Sequence, residues 1–340
     1  MITFSHAVAV DAGGTSTRAM VIDAQAQCLG IGRSGRGNPI SDGADAAAAS
    51  ISEAVAAALI AANLPGTSVQ AFSVAMAGGN TMTGHAQWLH EPLARLGISA
   101  DVAVEPDLLA MFCSGTPELD GYALISGTGA IAALIRNGRI DRFSDGIGWL
   151  LGDTGSGFWI GREVVRAVAL ALDGREPKTS MVSAVLRHYG IELNNAVVNG
   201  HVVSLNDLVR LTYDRSPLSL AALAPIAFED PDDPVSLSIL VRAAHALATS
   251  VTAVHQPELR GPLVIGGGVL SHQPRLHRAT LDELATQGID CPVIDVSDGL
   301  IGAGMLVLRR GGLTVDDAAF QRLRRSTATQ LSLSKRGYRG

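Results

Sequence analysis

Three glycine-rich turns, each directly after a strand-like run, carry the clearest chemical potential in the sequence: Gly13-Gly14-Thr15, Gly127-Thr128-Gly129 and Gly266-Gly267-Gly268. A backbone without Cβ can approach a polyphosphate closely, and successive amide N–H groups beside a hydroxyl can cradle its oxygens. One such turn alone is better explained as a tight hairpin. Two in equivalent places of a repeated pattern, with a third after a later strand, are a more specific signal. None fits GxxxxGK[ST] and none is a GxGxxG that opens a helix, which disfavours a Walker-type ATPase and a dinucleotide site.

The elements that must position these turns follow one plan twice. Ala7 to Val10, Arg18 to Ile22 and Cys28 to Arg33 read as a meander around Asp11-Ala12-Gly13-Gly14-Thr15-Ser16-Thr17, with glycine supplying the positive φ of the turn. An Ala-rich helix from Ala44 to Ala62, a strand from Val69 to Ala77 ending at Gly78-Gly79, an amphipathic helix from Thr83 to Leu96 and a strand from Asp101 to Val104 follow. Glu105-Pro106-Asp107 then opens a helix into Cys113. After Gly115-Thr116-Pro117 the pattern restarts with strands from Tyr122 to Ser126 and Ala130 to Arg136 around the second turn, and Asn137-Gly138 leads to a third. Asp153 to Thr252 reads as helical with a break at Asp230-Pro231-Asp232-Asp233-Pro234. A strand from Pro262 to Ile265, the third turn and a helix from Ile301 to Arg309 complete the series. Alternating strands and helices define the α/β class, with ligand expected where strands end between the halves.

At 340 residues the chain is about twice the usual domain length, and with 47% hydrophobic and 17% charged residues it should bury a sizeable core. A formal charge of -6 gives no overall footprint for nucleic acid. Cys28, Cys113 and Cys291 are too scattered for a zinc or iron-sulfur site and fit a reducing compartment. The N-terminal residues carry no basic segment of a signal peptide, and Asp45 and Glu53 interrupt the most Ala-rich run, so a cytoplasmic protein without membrane association is expected. His85, His90, His188, His245 and His255 have no metal-ligand spacing. Gln321 to Gly340 holds six basic residues and no acidic one, read as a solvated, partly disordered tail.

These motifs resemble a known superfamily. Val8-Ala9-Val10-Asp11-Ala12-Gly13-Gly14-Thr15-Ser16-Thr17 resembles the first phosphate motif of the sugar kinases, hsp70 and actin; Leu124 to Ala130 resembles the second, and Val264 to Val269 the adenosine motif. Gly146-Ile147-Gly148-Trp149-Leu150-Leu151-Gly152-Asp153-Thr154-Gly155-Ser156-Gly157 is similar to a stretch of the N-acetylglucosamine kinases and the related BadF/BadG ATPase-type proteins. The resemblance covers roughly residues 6 to 310. It implies a duplicated actin-like (ribonuclease H-like) fold, with an N-terminal lobe over 1–117 and a C-terminal lobe over 118–310; residues 311–340, outside the resemblance, are expected to pack on the first lobe and then become disordered.

Carried over residue by residue, the resemblance implies ATP held by Gly13, Gly14, Thr15, Thr17, Gly127, Thr128, Gly129, Gly266, Gly267 and Gly268. Asp11 would lie near Mg²⁺, through water. Asp107 matches the general base and also a sugar contact, and Asn38, Gly146 and Asp153 match sugar-binding positions. Each carboxylate has a plainer reading too: Asp107 as a helix cap, Asp11 as a turn former, Asp153 as the cap of the helix near Gly157. Trp149 and Trp159 flank the Gly152-Asp153 segment as core packing or as sugar-stacking rings. Pro106, Thr154 and Ile147 depart from the common family residues. The implied activity is phosphorylation of an amino sugar, N-acetylglucosamine at O6 first, with glucosamine or a muramic-type sugar as the alternative. An ATPase that drives a partner protein, and an inactive sensor, are readings of another class. The family also implies a homodimer.

Overall fold

Val8, Ala9, Val10 and Ala12 face a second unbroken apolar run, Ala19 to Ile22, and such runs without polar alternation form strands covered on both faces. In the computed structural model, which describes residues 4–39, 43–76, 86–198 and 200–337, these are β1 (His6–Ala12) and β2 (Thr17–Asp23). They pair antiparallel from His6 with Asp23 to Ala12 with Thr17. β3 (Cys28–Ser34) continues the meander, and β4 (Val69–Met76) and β5 (Val102–Pro106) add in parallel, giving the order β3-β2-β1-β4-β5. Neither Gly13 nor Gly14 adopts the left-handed region expected of them; a loop of this length turns without it.

β6 (Gly121–Ser126), β7 (Ala130–Arg136) and β8 (Arg139–Asp145) repeat the meander. Asn137 and Gly138 supply its two-residue turn at φ 53° and 71°, the positive values such a hairpin needs. β9 (Val197–Val198) and β10 (His201–Val202) form a separate ribbon, and β11 (Leu263–Gly266) and β12 (Val293–Asp295) join the second sheet in the order β12-β11-β6-β7-β8. Read from β8, this is the order of the first sheet. The fold is therefore α/β and duplicated, as in the actin-like ATPases.

α1 (Ala44–Ala62) lies on β3, where a Cβ at Gly30 or Gly32 would strike the helix backbone at Ala58 or Ala54. Small residues on both elements allow that approach, which accounts for the Ala-rich composition. α2 (Gln87–Ala94) is shorter than expected; Gly78, Gly79, Thr83 and His85 lie outside the described residues. α3 (Asp107–Gly115) follows β5. The second half holds α4 (Gly157–Leu172), α5 (Met181–Tyr189), α6 (Val203–Tyr213), α7 (Pro234–Val254), α8 (Gly268–His272) and α9 (Pro274–Thr286). The helical middle is thus broken by the β9–β10 ribbon and a 3-10 stretch, Pro217–Phe228, whose Pro225 interrupts regular α-helix. α1 and α7 are long and apolar enough by composition to cross a membrane, with a mean hydropathy of 1.5. Ile51, Val55 and Leu59 of α1 and Ile239, Leu247 and Val251 of α7 are buried in the core.

α10 (Leu300–Arg310) crosses α3 so closely that a Cβ at Gly302 would collide with Ala110 O, and Gly302 N–H donates to Ser114 Oγ at 2.8 Å. The tail expectation is corrected: α11 (Asp317–Gly337) is a helix with Ala319, Phe320, Leu323 and Thr327 buried. Cys28 N–H donates to Ser326 Oγ at 2.9 Å, which fixes α11 on β3. The spacing 319, 320, 323, 327 is a helical stripe that the basic residues obscure. By packing the chain divides into one compact unit of Met1–Ala123, Ile135–Arg139 and Val293–Gly340 and another of Leu124–Leu134 and Ile140–Pro292. Val293 to Arg310 therefore belongs with the first unit, whereas the sequence boundary assigns it to the second lobe.

Asp233 is 5% exposed and caps α7. It accepts from Val235 N–H at 3.0 Å, Ser180 N–H at 3.1 Å, Ser180 Oγ at 3.0 Å, Ser236 Oγ at 3.3 Å and Thr179 Oγ1, which joins α7 to the start of α5. Burial alone would raise its pKa, but these donors hold the carboxyl below the usual range. Its stabilisation is present above the unfolded carboxyl's pKa and is lost as pH falls through the lower folded value. Asp233→Ala should cost about 2–4 kcal/mol at neutral pH by thermal or urea unfolding, with the deficit narrowing under strong acid. A loss below about 0.5 kcal/mol would remove the cap from the account.

Candidate functional site

Asp11 is the half-buried polar residue near the end of β1, and its carboxylate meets the head of α10. Its Oδ2 accepts Gly299 N–H at 3.1 Å, and Arg18 Nη1 lies 3.8 Å from it and 3.2 Å from Asp298 Oδ2. Asp298 in turn accepts Leu300 N–H at 3.1 Å, so the first turn of α10 is capped by one member of this cluster. Asp11 is only 14% exposed. Burial and the neighbouring Asp298 charge push its pKa up to about 7, against the lowering effects of Arg18 and Gly299 N–H, and Asp107 adds a further rise. Asp107 is the first residue of α3, its Oδ1 accepts Leu108 N–H at 2.8 Å, and burial raises its pKa. Pro106 fits the end of β5 without distortion at φ -64°.

Gly14 and Thr15 are exposed, with Gly13 N–H donating to Ser16 O at 3.1 Å. The Asn38 segment is fastened to this turn: Gly37 N–H donates to Gly13 O at 3.1 Å, and Arg36 Nε to Gly14 O at 2.9 Å. Thr17 is different. It is fully buried under Gly37, where a Cβ would collide with Thr17 Oγ1, so its hydroxyl is not presented on the surface of the turn as Thr15 is.

In the second unit three backbone segments converge. Gly157 N–H, at the head of α4, donates to Gly127 O at 2.7 Å, and Phe158 N–H to Thr128 O at 3.2 Å. Gly267, at φ 92°, passes so near Ser126 O that only glycine fits, and the next residue opens α8. Thr128 and Gly268 are exposed beside this junction, while Gly266 is buried within β11. Ser156 caps α4 by accepting Trp159 N–H at 3.1 Å. The first three amides of the sixteen-residue α4 are thus all satisfied within the protein, which fastens the helix head to the Gly-Thr-Gly turn.

Asp153 does not cap α4. It has φ 55°, its Oδ1 accepts Ala130 N–H at 3.3 Å, and its carboxyl lies against Gly129. Burial, together with the charge of Asp145, raises its pKa. Gly146 is exposed at φ 69° and packs on Ile131. Trp159 is buried, with Arg242 over its ring at 5.2 Å; Trp149 is 37% exposed and leans on Phe158 at 5.4 Å. Arg18, Asp298 and Asp145 were absent from the residues singled out by sequence. The Asp-Gly pair before α10 was the one available signal for Asp298.

Two five-stranded sheets of one order, each with a Gly-Thr turn after its first strand, define the class of actin-like ATPases. The chain belongs to the BadF/BadG/BcrA/BcrD ATPase family, which matches residues 8–307. It is 28% identical to an N-acetyl-D-glucosamine kinase of Dictyostelium discoideum over 88% of this chain and 97% of that one. It is 23% identical to a glucosamine kinase of Vibrio cholerae over 74% and 81%. Its fold is similar to the crystal structure of a candidate N-acetylglucosamine kinase from Porphyromonas gingivalis: TM-score 0.68, 22% identity, covering 91% of this chain and 100% of that one.

Proposed function

We infer that this chain is an ATP-dependent amino-sugar kinase that phosphorylates N-acetyl-D-glucosamine at O6. The observation that carries the reading is Asp107, a half-buried carboxylate of raised pKa at a helix head whose Coulombic influence reaches Asp11. The likeness to kinases of N-acetylglucosamine and glucosamine over most of the chain supports the substrate class. In this reading Asp107 takes the O6 proton as O6 attacks the γ-phosphorus; the new O–P bond forms, the bond to the bridging oxygen breaks, and ADP leaves. In this reading Gly13, Gly14, Thr15, Gly127, Thr128, Gly129, Gly267 and Gly268 contact the nucleotide, with Thr15 and Thr128 both exposed. Asn38, Gly146 and Asp153 bind the sugar.

Magnesium fits the donors present. Among the described residues no group of three or more His, Cys, Asp or Glu could form a caged metal site, whereas a Mg²⁺ that keeps its waters and rides on phosphates needs only one or two carboxylates. Asp11, with Asp298 nearby, is suited to that role through water. When bound, the ion would neutralise charge on the transferring phosphoryl group. A cytoplasmic homodimer completes the proposal.

A coupled ADP-release assay over hexoses and amino sugars tests the activity. No acidic residue stands beside Asn38 in the sequence from Gly35 to Ile40; of the two nearby acids, Asp42 lies outside the described residues and Asp45 is exposed in the first turn of α1, a setting that suits a neutral N-acetyl group better than an ammonium. The ratio of kcat/KM for N-acetylglucosamine to that for glucosamine at pH 7.5 should exceed one. A ratio below one shifts the substrate to the free amine and leaves the kinase intact. ATP hydrolysis stimulated by no sugar would favour the partner-driving ATPase.

A further inference from the structure

Asp145 closes the segment that carries Asp153. It is the last residue of β8 and has φ 62°, a left-handed conformation uncommon for a non-glycine residue. Its Oδ1 accepts Asp153 N–H at 2.7 Å and its Oδ2 accepts Thr154 N–H at 3.1 Å, so a single carboxylate ties two successive amides. Between these anchors the chain folds on itself, with Leu151 and Gly152 N–H both donating to Gly148 O, at 3.2 and 2.8 Å. Gly152 passes so near that a Cβ would collide with Asp145 Oδ1, which explains why glycine precedes Asp153. Asp153 is itself left-handed, and its carboxyl is delivered to Gly129 and Ala130 N–H. Two strained residues joined by hydrogen bonds persist where the surroundings over-determine the backbone.

We propose that Asp145 is a positioning residue for the acceptor sugar: by gripping the amides of residues 153 and 154 it aims the Asp153 carboxylate. The proposal rests on the amino-sugar kinase reading, in which Asp153 holds a sugar hydroxyl. A carboxylate is the side chain suited to the task, because it is acceptor-only on both oxygens. Asparagine would keep one acceptor and turn an NH2 group toward the second amide. The apolar residues of the segment take no part in this grip; Leu150 and Leu151 stand 73% and 77% exposed on it.

A double-mutant cycle on the full chain tests the proposal, with kcat and KM measured for N-acetylglucosamine and ATP in the wild type, Asp145→Ala, Asp153→Ala and the double variant. Asp145→Ala should raise the sugar KM by up to about 10²-fold, the scale of a misplaced binding group, and shift the ATP KM less. In the Asp153→Ala background the same change should cost less than about threefold, since its effect runs through Asp153. Asp145→Asn should fall between Ala and wild type, and it replaces Ala in the cycle if Ala does not fold. Equal losses in both backgrounds overturn the proposal, as they report a structural contribution independent of Asp153. A wild type that turns over no amino sugar removes the kinase reading and this inference with it, whereas additive losses in an active enzyme remove this inference alone.

Discussion

Asp107→Asn is expected to lower kcat by ~10²-fold or more with ATP still bound. The substitution separates the two roles open to this residue. Asp107 does act on its helix, accepting Leu108 N–H at 2.8 Å through Oδ1, and the Asn amide oxygen retains that bond. It cannot accept the proton released by an attacking hydroxyl. Burial raises the carboxyl's pKa above its ordinary value, which makes its ionised form a stronger base. Steady-state kinetics with nucleotide binding by calorimetry make the comparison. A variant that keeps more than about a tenth of kcat would leave Asp107 with only its local bond at the first turn of α3.

Asp11→Asn should be almost as damaging, and its effect should depend on pH. With the Asp11 pKa near 7, a proton must leave before the carboxylate can serve a hydrated Mg²⁺, so the apparent affinity for Mg-nucleotide should fall by up to about tenfold per pH unit below 7. Stability moves the other way. A carboxyl whose folded pKa is raised contributes stability that is fully present below the unfolded value of 3.8 and is lost as pH rises to about 7. The difference in stability between Asp11→Asn and wild type, without nucleotide, should therefore shift toward the variant from pH 4 to 7 and then level. A difference that stays flat across that range would mean that Arg18 and the Gly299 N–H offset the burial of Asp11 more fully than the 25% exposure of Arg18 suggests.

What could be read from sequence followed local patterning. The two meanders, the span of α1 and the Asn137-Gly138 turn all leave short-range signatures, in apolar runs or in turn chemistry, and the structure has them. The positive φ assigned to Gly13 and Gly14 does not exist, because the loop between β1 and β2 is long enough to turn without it. α11 is hard to tell from a tail in the sequence, because its buried stripe of Ala319, Phe320 and Leu323 is diluted by Arg322, Arg324 and Arg325. The neighbours of Asp11 were out of reach for another reason: Gly299 N–H meets its carboxylate across 288 positions, and no periodicity encodes such a pairing. Asp145 lies only eight residues before Asp153, yet a polar residue ending a strand is ordinary until the backbone around it is seen.

The crossing of α10 on α3 has a consequence for the order in which the protein comes off the ribosome. α3 is complete at Gly115, but its partner at Gly302 is translated after the whole of the second unit. At about 5–20 residues per second, the interval between Ala123 and Val293 lasts roughly 10 to 30 s. Throughout it the nascent first sheet lacks α10 and α11, and the small-residue face of α3 around Ala110 and Ser114 waits uncovered. Ile140–Pro292, by contrast, is one continuous stretch and can begin to consolidate before the first unit does. The first part of the protein to be made is thus among the last to finish folding, and nascent chains stalled short of residue 293 should be the ones that chaperones hold.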